Sequence, residues 1–223
     1  MVSHAIKKQL KYHAMQLDGE VTVHIPKHVN LTIPVHLTGG ILRPGDQLGN
    51  KVGGFVTSIP LNAPEGGSSR DRVSHISRKL HREKMLPAPM ISWVLAKLCS
   101  DFAPDWISKL ALRKFNANSV AVVSNIKGFP FGVHWLGRKV SFISAFLPLP
   151  PGERQLQVLC FYSFISVAPH LCFCQFKGIP IGVVVQSYDG NISLGINADM
   201  RVVPDAEKFA DWMLAEFEII SQK

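Results

Sequence analysis

The chain has 223 residues, 47 % hydrophobic and 18 % charged, with a formal net charge of +8. That length buries a real core in one large domain or two small ones, and the balance excludes a disordered chain. The basic surplus suits nucleic acid, an anionic membrane surface or no charged partner at all. No stretch interleaves aromatic and basic residues, so no nucleic-acid partner is expected.

The first segment, "MVSHAIKKQLKYH", has no apolar run followed by a small-residue cleavage site, so it does not read as a signal peptide. It reads as an amphipathic helix with Val2, Ile6, Leu10 and His13 on one face. Two β-rich runs follow, Val21–Ile25 and Val29–Leu37, and then Gly39, Gly40, Pro44 and Gly45 mark a loop. Leu48–Leu61 reads as a loop entering a strand. Its Gly53–Gly54 pair implies a bulge or a close backbone approach.

"SSRDRVSHISRKLHREK" predicts a helix capped by Ser68 or Ser69, with Val73, Ile76 and Leu80 as its inner stripe. Its basic cluster, Ser77–Lys84, reads as a solvated helix face. Pro89 to Lys114 is helical, interrupted at Pro104. Next comes a strand with Val120 to Val123 buried, stopping at Ser124–Asn125. "VVVQSYDGNISLGINAD" predicts a hairpin turning at Asp189–Gly190. The tail predicts a helix capped by Asp205, with Phe209, Trp212, Met213, Phe217 and Ile220 facing inward. Strands alternating with helices imply an α/β (α+β) fold, a mixed sheet flanked by helices.

Leu156–Phe176 runs 21 residues without Asp, Glu, Lys or Arg. Its length suits a membrane span, but it holds Pro169, His170, two Gln and two Ser. Three readings stay open: a membrane-contacting insertion, a buried core segment, or translated intron. The last draws on the flanks, since joining Gly152 to Gly178 restores a continuous motif. The four cysteines, Cys99, Cys160, Cys172 and Cys174, form no C-x-x-C pair, so reduced thiols in a cytosol-facing protein are expected. The nine His show no metal-ligand spacing, and no metal is expected. There is no G-x-S-x-G elbow for a serine hydrolase.

Four pieces, "VNLTIPVHL", "LGNKVGGFVTSIPL", "VAVVSNIKGFPFGVHWLGRKV" and "VVVQSYDGNISLGINADMRVVPD", resemble in order the C-terminal half of the wax ester synthase/diacylglycerol acyltransferases. The landmarks are Leu48-Gly49-Asn50, Ser124-Asn125-x-x-Gly128 and Ser187-Tyr188-Asp189-Gly190. The resemblance covers about Val29 to Ile220. It departs at Lys127, where the family commonly has Pro, and in the extra sequence after Pro151.

The resemblance implies half of a coenzyme A-dependent acyltransferase-like fold. Residues 1–28 would be a helix and connector, and 29–223 the acyltransferase C-terminal domain, with an apolar insertion at about 153–177. It implies acyl transfer from acyl-CoA, a substrate and not a bound cofactor, to diacylglycerol or a long-chain alcohol. It implies a membrane-associated, cytosol-facing protein at the endoplasmic reticulum or plasma membrane. Ser124, Asn125 and Gly128 would line the substrate channel, although "GVHWLGRKV" behind them reads more readily as a loop and strand packing on the sheet.

The family's general base sits in H-H-x-x-x-D-G. Here His13, Asp18 and Gly19 mimic that spacing, but Ala14 stands where the second His belongs, and a methyl group accepts no proton. His13 and Asp18 are therefore expected to be ordinary helix-end residues. No catalytic residue is expected in this chain; the base is expected in a missing N-terminal half, this sequence being an incomplete gene model or isoform. The alternative is a non-catalytic lipid- or partner-binding module of the same descent.

Overall fold

The computed structural model describes residues 1–16, 25–37, 51–62, 67–145, 155–161, 164–168 and 179–221. The elements are α1 (Val2–Gln16), β1 (His28–His36), β2 (Val52–Pro60), α2 (Ser69–Met85), α3 (Ala88–Phe102), α4 (Asp105–Asn116), β3 (Ala121–Ile126), the short pair β4 (His134–Trp135) and β5 (Arg138–Lys139), β6 (Gln155–Phe161), β7 (Phe164–Ala168), β8 (Ile181–Tyr188), β9 (Asn191–Asp199) and α5 (Ala206–Ser221). The main sheet runs β2-β1-β3-β8-β9-β6-β7. β1, β3 and β8 are mutually parallel, and the other neighbours are antiparallel. The expected α/β (α+β) fold with a mixed sheet flanked by helices is what forms.

β8 is covered on both faces. Ile181, Val183 and Val184 are almost wholly buried, as a continuous apolar run in a central parallel strand requires. The turn to β9 sits at Asp189 and Gly190, both at positive φ, +48° and +78°. That is the backbone of a two-residue hairpin whose twist matches its strands, and the Asp-Gly pair tolerates it best. The core joins Ala5 and Ile6 of α1 to Phe209, Ala210 and Met213 of α5 and to Val183 and Ile196 of the sheet. Asp205 caps α5 by accepting from the Lys208 N–H at 2.9 Å.

Ser68, not Ser69, is the N-cap of α2. Its hydroxyl accepts from the Asp71 N–H, and the Asp71 carboxylate accepts from the Ser68 N–H at 2.8 Å, a reciprocal capping box. The Ser68 backbone bond, then its hydroxyl, holds the Asp71 carboxyl below its ordinary value of 3.8. In Ser68→Ala one of these two donors is gone, so the Asp71 titration moves up towards 3.8. Side-chain carboxyl NMR across an acid titration measures this, and an unmoved midpoint refutes it.

Four expectations are corrected. On α2, Ile76 and Leu80 do pack on the core, but Val73 is exposed and its neighbour Arg72 is buried instead. The reason is a charge partner on α5, Glu216, 2.7 Å from the Arg72 guanidinium, which makes burial of an arginine tolerable there. On α1 the most buried positions are Ser3, Ala5, Ile6 and Gln9, with Val2 and Leu10 only at the margin. β3 does not stop at Ser124–Asn125: both residues continue the parallel ladder, opposite Val184 and Val185. Gly53–Gly54 makes no bulge, since β1 and β2 pair without interruption from His28↔Pro60 to His36↔Val52.

The close-approach reading of that glycine pair holds: a Cβ on Gly53 would lie 1.8 Å from the Pro89 carbonyl oxygen of α3. Val21–His24, Asp18–Gly19, the loop from Gly39 to Gly45 and the Leu48-Gly49-Asn50 turn lie outside the described residues. So does much of the apolar stretch; β6 and β7 are strands within it, β6 pairing with β9. Among the described residues no helix is long and apolar enough to cross a membrane.

Candidate functional site

The parallel strands β3 and β8 end side by side, and the carboxyl ends of parallel strands are where open α/β sheets hold ligands. Two of the sequence landmarks meet there. Ser124 is half-buried and Asn125 exposed on β3, beside Val184 and Val185. Gly128 follows, and its N–H donates to the Ser187 hydroxyl at 3.3 Å. A Cβ on Gly128 would stand 1.8 Å from the Ser187 carbonyl oxygen, so only glycine lets the departing chain lie against β8. The Asp189 N–H then donates to the Phe129 carbonyl at 2.9 Å.

The segment after Gly128 is laced to the β8–β9 hairpin. The Tyr188 hydroxyl accepts from the Val133 N–H at 2.8 Å and donates to the Val140 carbonyl at 2.9 Å. Val140 N–H donates to Val133 O, closing the β4–β5 ribbon. Lys139 pairs with Asp189 at 2.8 Å, and hydrogen bonding to that carboxylate, then its charge, raises the ammonium's pKa. The Ser193 hydroxyl donates to Ile143 O at 3.3 Å. In Tyr188→Phe both bonds of a buried phenol vanish and two backbone groups lose their partner. We expect a loss of about 1–3 kcal/mol and faster hydrogen exchange at the Val133 amide; unchanged exchange there would refute the lacing.

Sequence reading missed Gln186. It is buried on β8, opposite Ile126, and its Oε1 has no hydrogen-bond partner among the described residues. Its Nε2 lies 3.7 Å from where a Cβ on Gly128 would stand. The only trace in the sequence was a polar residue ending the run Ile181–Val185. Side-chain alternation puts Ser124 and Gln186 on one face of these strand ends and Asn125 and Ser187 on the other; all four are amides or hydroxyls. They can orient a carbonyl or donate to a developing oxyanion, but they do not take up a proton near neutral pH.

His13 is not at these strand ends. Its Nε2 lies within hydrogen-bond distance of the Gln9 amide (2.9 Å) and the Val202 carbonyl (2.8 Å), tying the end of α1 to the turn after β9. Cys99 is a free thiol. Among the described residues no group of three or more His, Cys, Asp or Glu is placed to hold a metal ion.

The sequence model of the WS/DGAT C-terminal domain matches residues 48–163 and 166–221. The chain belongs to this family. In WS/DGAT terms, the match takes in β2 through α5, including β3, β8 and the β8–β9 hairpin. Among curated proteins, none matches this sequence.

Similar solved structures include the wax ester synthase/diacylglycerol acyltransferase from Marinobacter aquaeolei VT8, at 16 % identity and a TM-score of 0.47, covering 98 % of this chain and 42 % of that one. The epimerization domain from tyrocidine synthetase B follows, at 10 % identity and a TM-score of 0.43, covering 99 % and 44 %. A condensation domain from the enacyloxin polyketide synthase shows 12 % identity and a TM-score of 0.44, covering 98 % and 35 %. The chain spans less than half the length of each. Similarity this distant carries no activity or substrate from those proteins to this one.

Proposed function

We propose that this chain is the C-terminal part of an acyl-CoA-dependent O-acyltransferase. It makes neutral lipid, triacylglycerol or wax ester, from acyl-CoA and diacylglycerol or a long-chain alcohol. The WS/DGAT match over residues 48–163 and 166–221 carries this reading. The polar residues at the paired ends of β3 and β8 support it. In this reading Ser124, Asn125 and Gly128 line the substrate channel and Gln186 offers an amide to the thioester or the coenzyme A arm. Acyl-CoA enters as substrate, with no resident cofactor. The general base that takes the alcohol's proton belongs to an N-terminal half in the full-length chain, and the protein works at a cytosol-facing membrane.

A second reading is a non-catalytic lipid- or partner-binding module of the same descent. One observation favours it: the polar side chains at the ends of β3 and β8 are neutral amides and hydroxyls.

Labelled acyl-CoA tests both. The first reading expects saturable binding by this chain, no turnover by it alone, and ester formation once the chain is extended upstream through an H-H-x-x-x-D-G segment. Turnover by this chain alone would overturn the placement of the base. Binding that never becomes turnover in the extended chain selects the second reading.

A further inference from the structure

The apolar stretch after Gly152 has no part in the chemistry above. Within it, β6 takes up Gln155–Phe161 and β7 Phe164–Ala168. β6 lies along β9 and β7 along β6, and among the described residues β7 ends the sheet on that side. Joining Gly152 to Gly178 restores a continuous motif. Such a join keeps β1, β2, β3, β8 and β9 but deletes the outer neighbour of β9.

Hydrogen-bond parity defines the edge that β6 covers. In a two-residue hairpin the residues flanking the turn, here Tyr188 and Asn191, form a hydrogen-bonded pair, and such pairs recur at every second residue. Asn191, Ser193, Gly195 and Asn197 therefore bond to β8. Asp199 keeps the parity, its N–H donating to the Pro180 carbonyl at 2.9 Å. Ile192, Leu194, Ile196 and Ala198 turn their N–H and C=O groups the other way, towards β6. Without β6 they would form an open row of donors and acceptors on a strand whose Leu194, Ile196 and Ala198 are core residues.

The sequence of β9 is self-complementary about Gly195. Against a second, antiparallel β9 with Gly195 on the two-fold axis, Leu194 falls opposite Ile196, Ile192 opposite Ala198, Ser193 opposite Asn197 and Asn191 opposite Asp199. Apolar meets apolar, polar meets polar, and the residues with outward N–H groups meet each other. A two-fold interface needs that reciprocity. β6 imitates this partner. It sets Gln155, Leu156, Gln157 and Val158 opposite Asp199, Ala198, Asn197 and Ile196, where a second β9 would bring Asn191, Ile192, Ser193 and Leu194. The imitation lapses at Leu159 and Phe161, which oppose Gly195 and Ser193.

We infer that the β6–β7 hairpin caps an edge complementary to a second copy of this chain. With the hairpin in place the edge is closed. A form running from Gly152 straight into Gly178 pairs through β9 into a two-fold dimer. A failed turnover assay leaves this pairing untouched.

Light scattering after gel filtration compares the full chain with the chain lacking 153–177, both carrying Cys99→Ser. The deletion also removes Cys160, Cys172 and Cys174, so Gly195→Cys then supplies the one thiol. Expected are a full chain with the mass of one copy and a folded deletion chain with the mass of two. Gly195→Cys should cross-link that dimer, because facing residues of a non-hydrogen-bonded pair lie about 4.5 Å apart, within disulfide reach. Val158→Pro in the full chain is the second variant. It removes an N–H that faces β9 and none that faces β7. The Leu194 and Ile196 amides should then exchange about tenfold or more faster in dilute solution and regain protection when concentrated. A folded deletion chain that stays single overturns the inference, as does a dimer that Gly195→Cys does not cross-link. A deletion chain that no longer folds overturns it too, since the hairpin is then core and not cap. So does exchange in Val158→Pro that ignores concentration.

Discussion

Arg72→Ala is expected to cost about 3–5 kcal/mol, because it leaves a carboxylate buried without its partner. The Arg72 guanidinium donates to Glu216 at 2.7 Å, and both side chains are almost fully buried between α2 and α5. The partner's other oxygen lies 3.3 Å from Nδ1 of His4, so this cluster joins three helices. In a chain of this size the loss corresponds to a melting temperature lower by on the order of 10 °C. Removing both charges while keeping bulk, as in Arg72→Met with Glu216→Leu, should recover most of it, since apolar replacements avoid the desolvation cost. A single variant within about 1 kcal/mol of wild type would show that water reaches the pair.

Acid acts in the same direction. Burial lowers the His4 pKa from its ordinary 6.5, outweighing the opposing pull of Glu216. Between 6.5 and that lower value the unfolded chain binds more protons than the folded one. The His4 contribution is therefore complete above pH 6.5 and is lost as the pH falls through this window. Unfolding curves collected across it should weaken towards acid, and His4→Gln should flatten the trend.

The second large effect is at Gly128. Its missing Cβ is what allows the chain leaving β3 to touch the backbone of Ser187, and the obstructing atom, 1.8 Å away, is a carbonyl oxygen that no side-chain rotation can move. Gly128→Ala should separate the two strand ends and break the Gly128–Ser187 and Asp189–Phe129 bonds. The cost should be about 1–3 kcal/mol or more, with acyl-CoA binding falling alongside. Gly132→Ala is the control. There the nearest atom is the Lys139 Cε, 2.4 Å away, the far end of a flexible side chain. It can swing aside, so the effect should be small beyond a loosened Lys139–Asp189 pair. Equal damage from both substitutions, measured by denaturant unfolding, would refute this account.

These effects also mark where sequence reading succeeded and failed. Local chemistry was legible. The α2 cap, the Asp189–Gly190 turn, the break at Pro104 and the Asp205 cap are all settled by contacts within a few residues, so spacing finds them, with only the choice between Ser68 and Ser69 left to the structure. The Arg72–Glu216 pair is invisible to that method because its partners stand 144 residues apart. An apolar stripe containing Val73 looked complete without an arginine in it. The strand through Ser124–Asn125 was cut short for a related reason. Polar residues end an isolated strand, but a parallel neighbour on the far side of a long crossover keeps this one in the ladder. Ser124, Asn125 and Gly128 were recognised by resemblance. That Ser187 and Gln186 stand against them follows only from the parallel pairing of β3 with β8. Periodicity found α3 as a helix, yet it says nothing of which side meets β2.

The seating of α3 on β2 has one more consequence. Among the described residues β2 is the outermost strand on its side, and its far margin would otherwise offer N–H groups to an extended peptide. Ser92 occupies the amide of Gly54, and its own proton goes to the Pro89 carbonyl at 2.8 Å. The helix thus occupies one amide of that margin, which takes a hydrogen-bonding site away from strand addition. Dislodging the helix, as a side chain at Gly53 would, should surface as aggregation before it surfaces as lost binding.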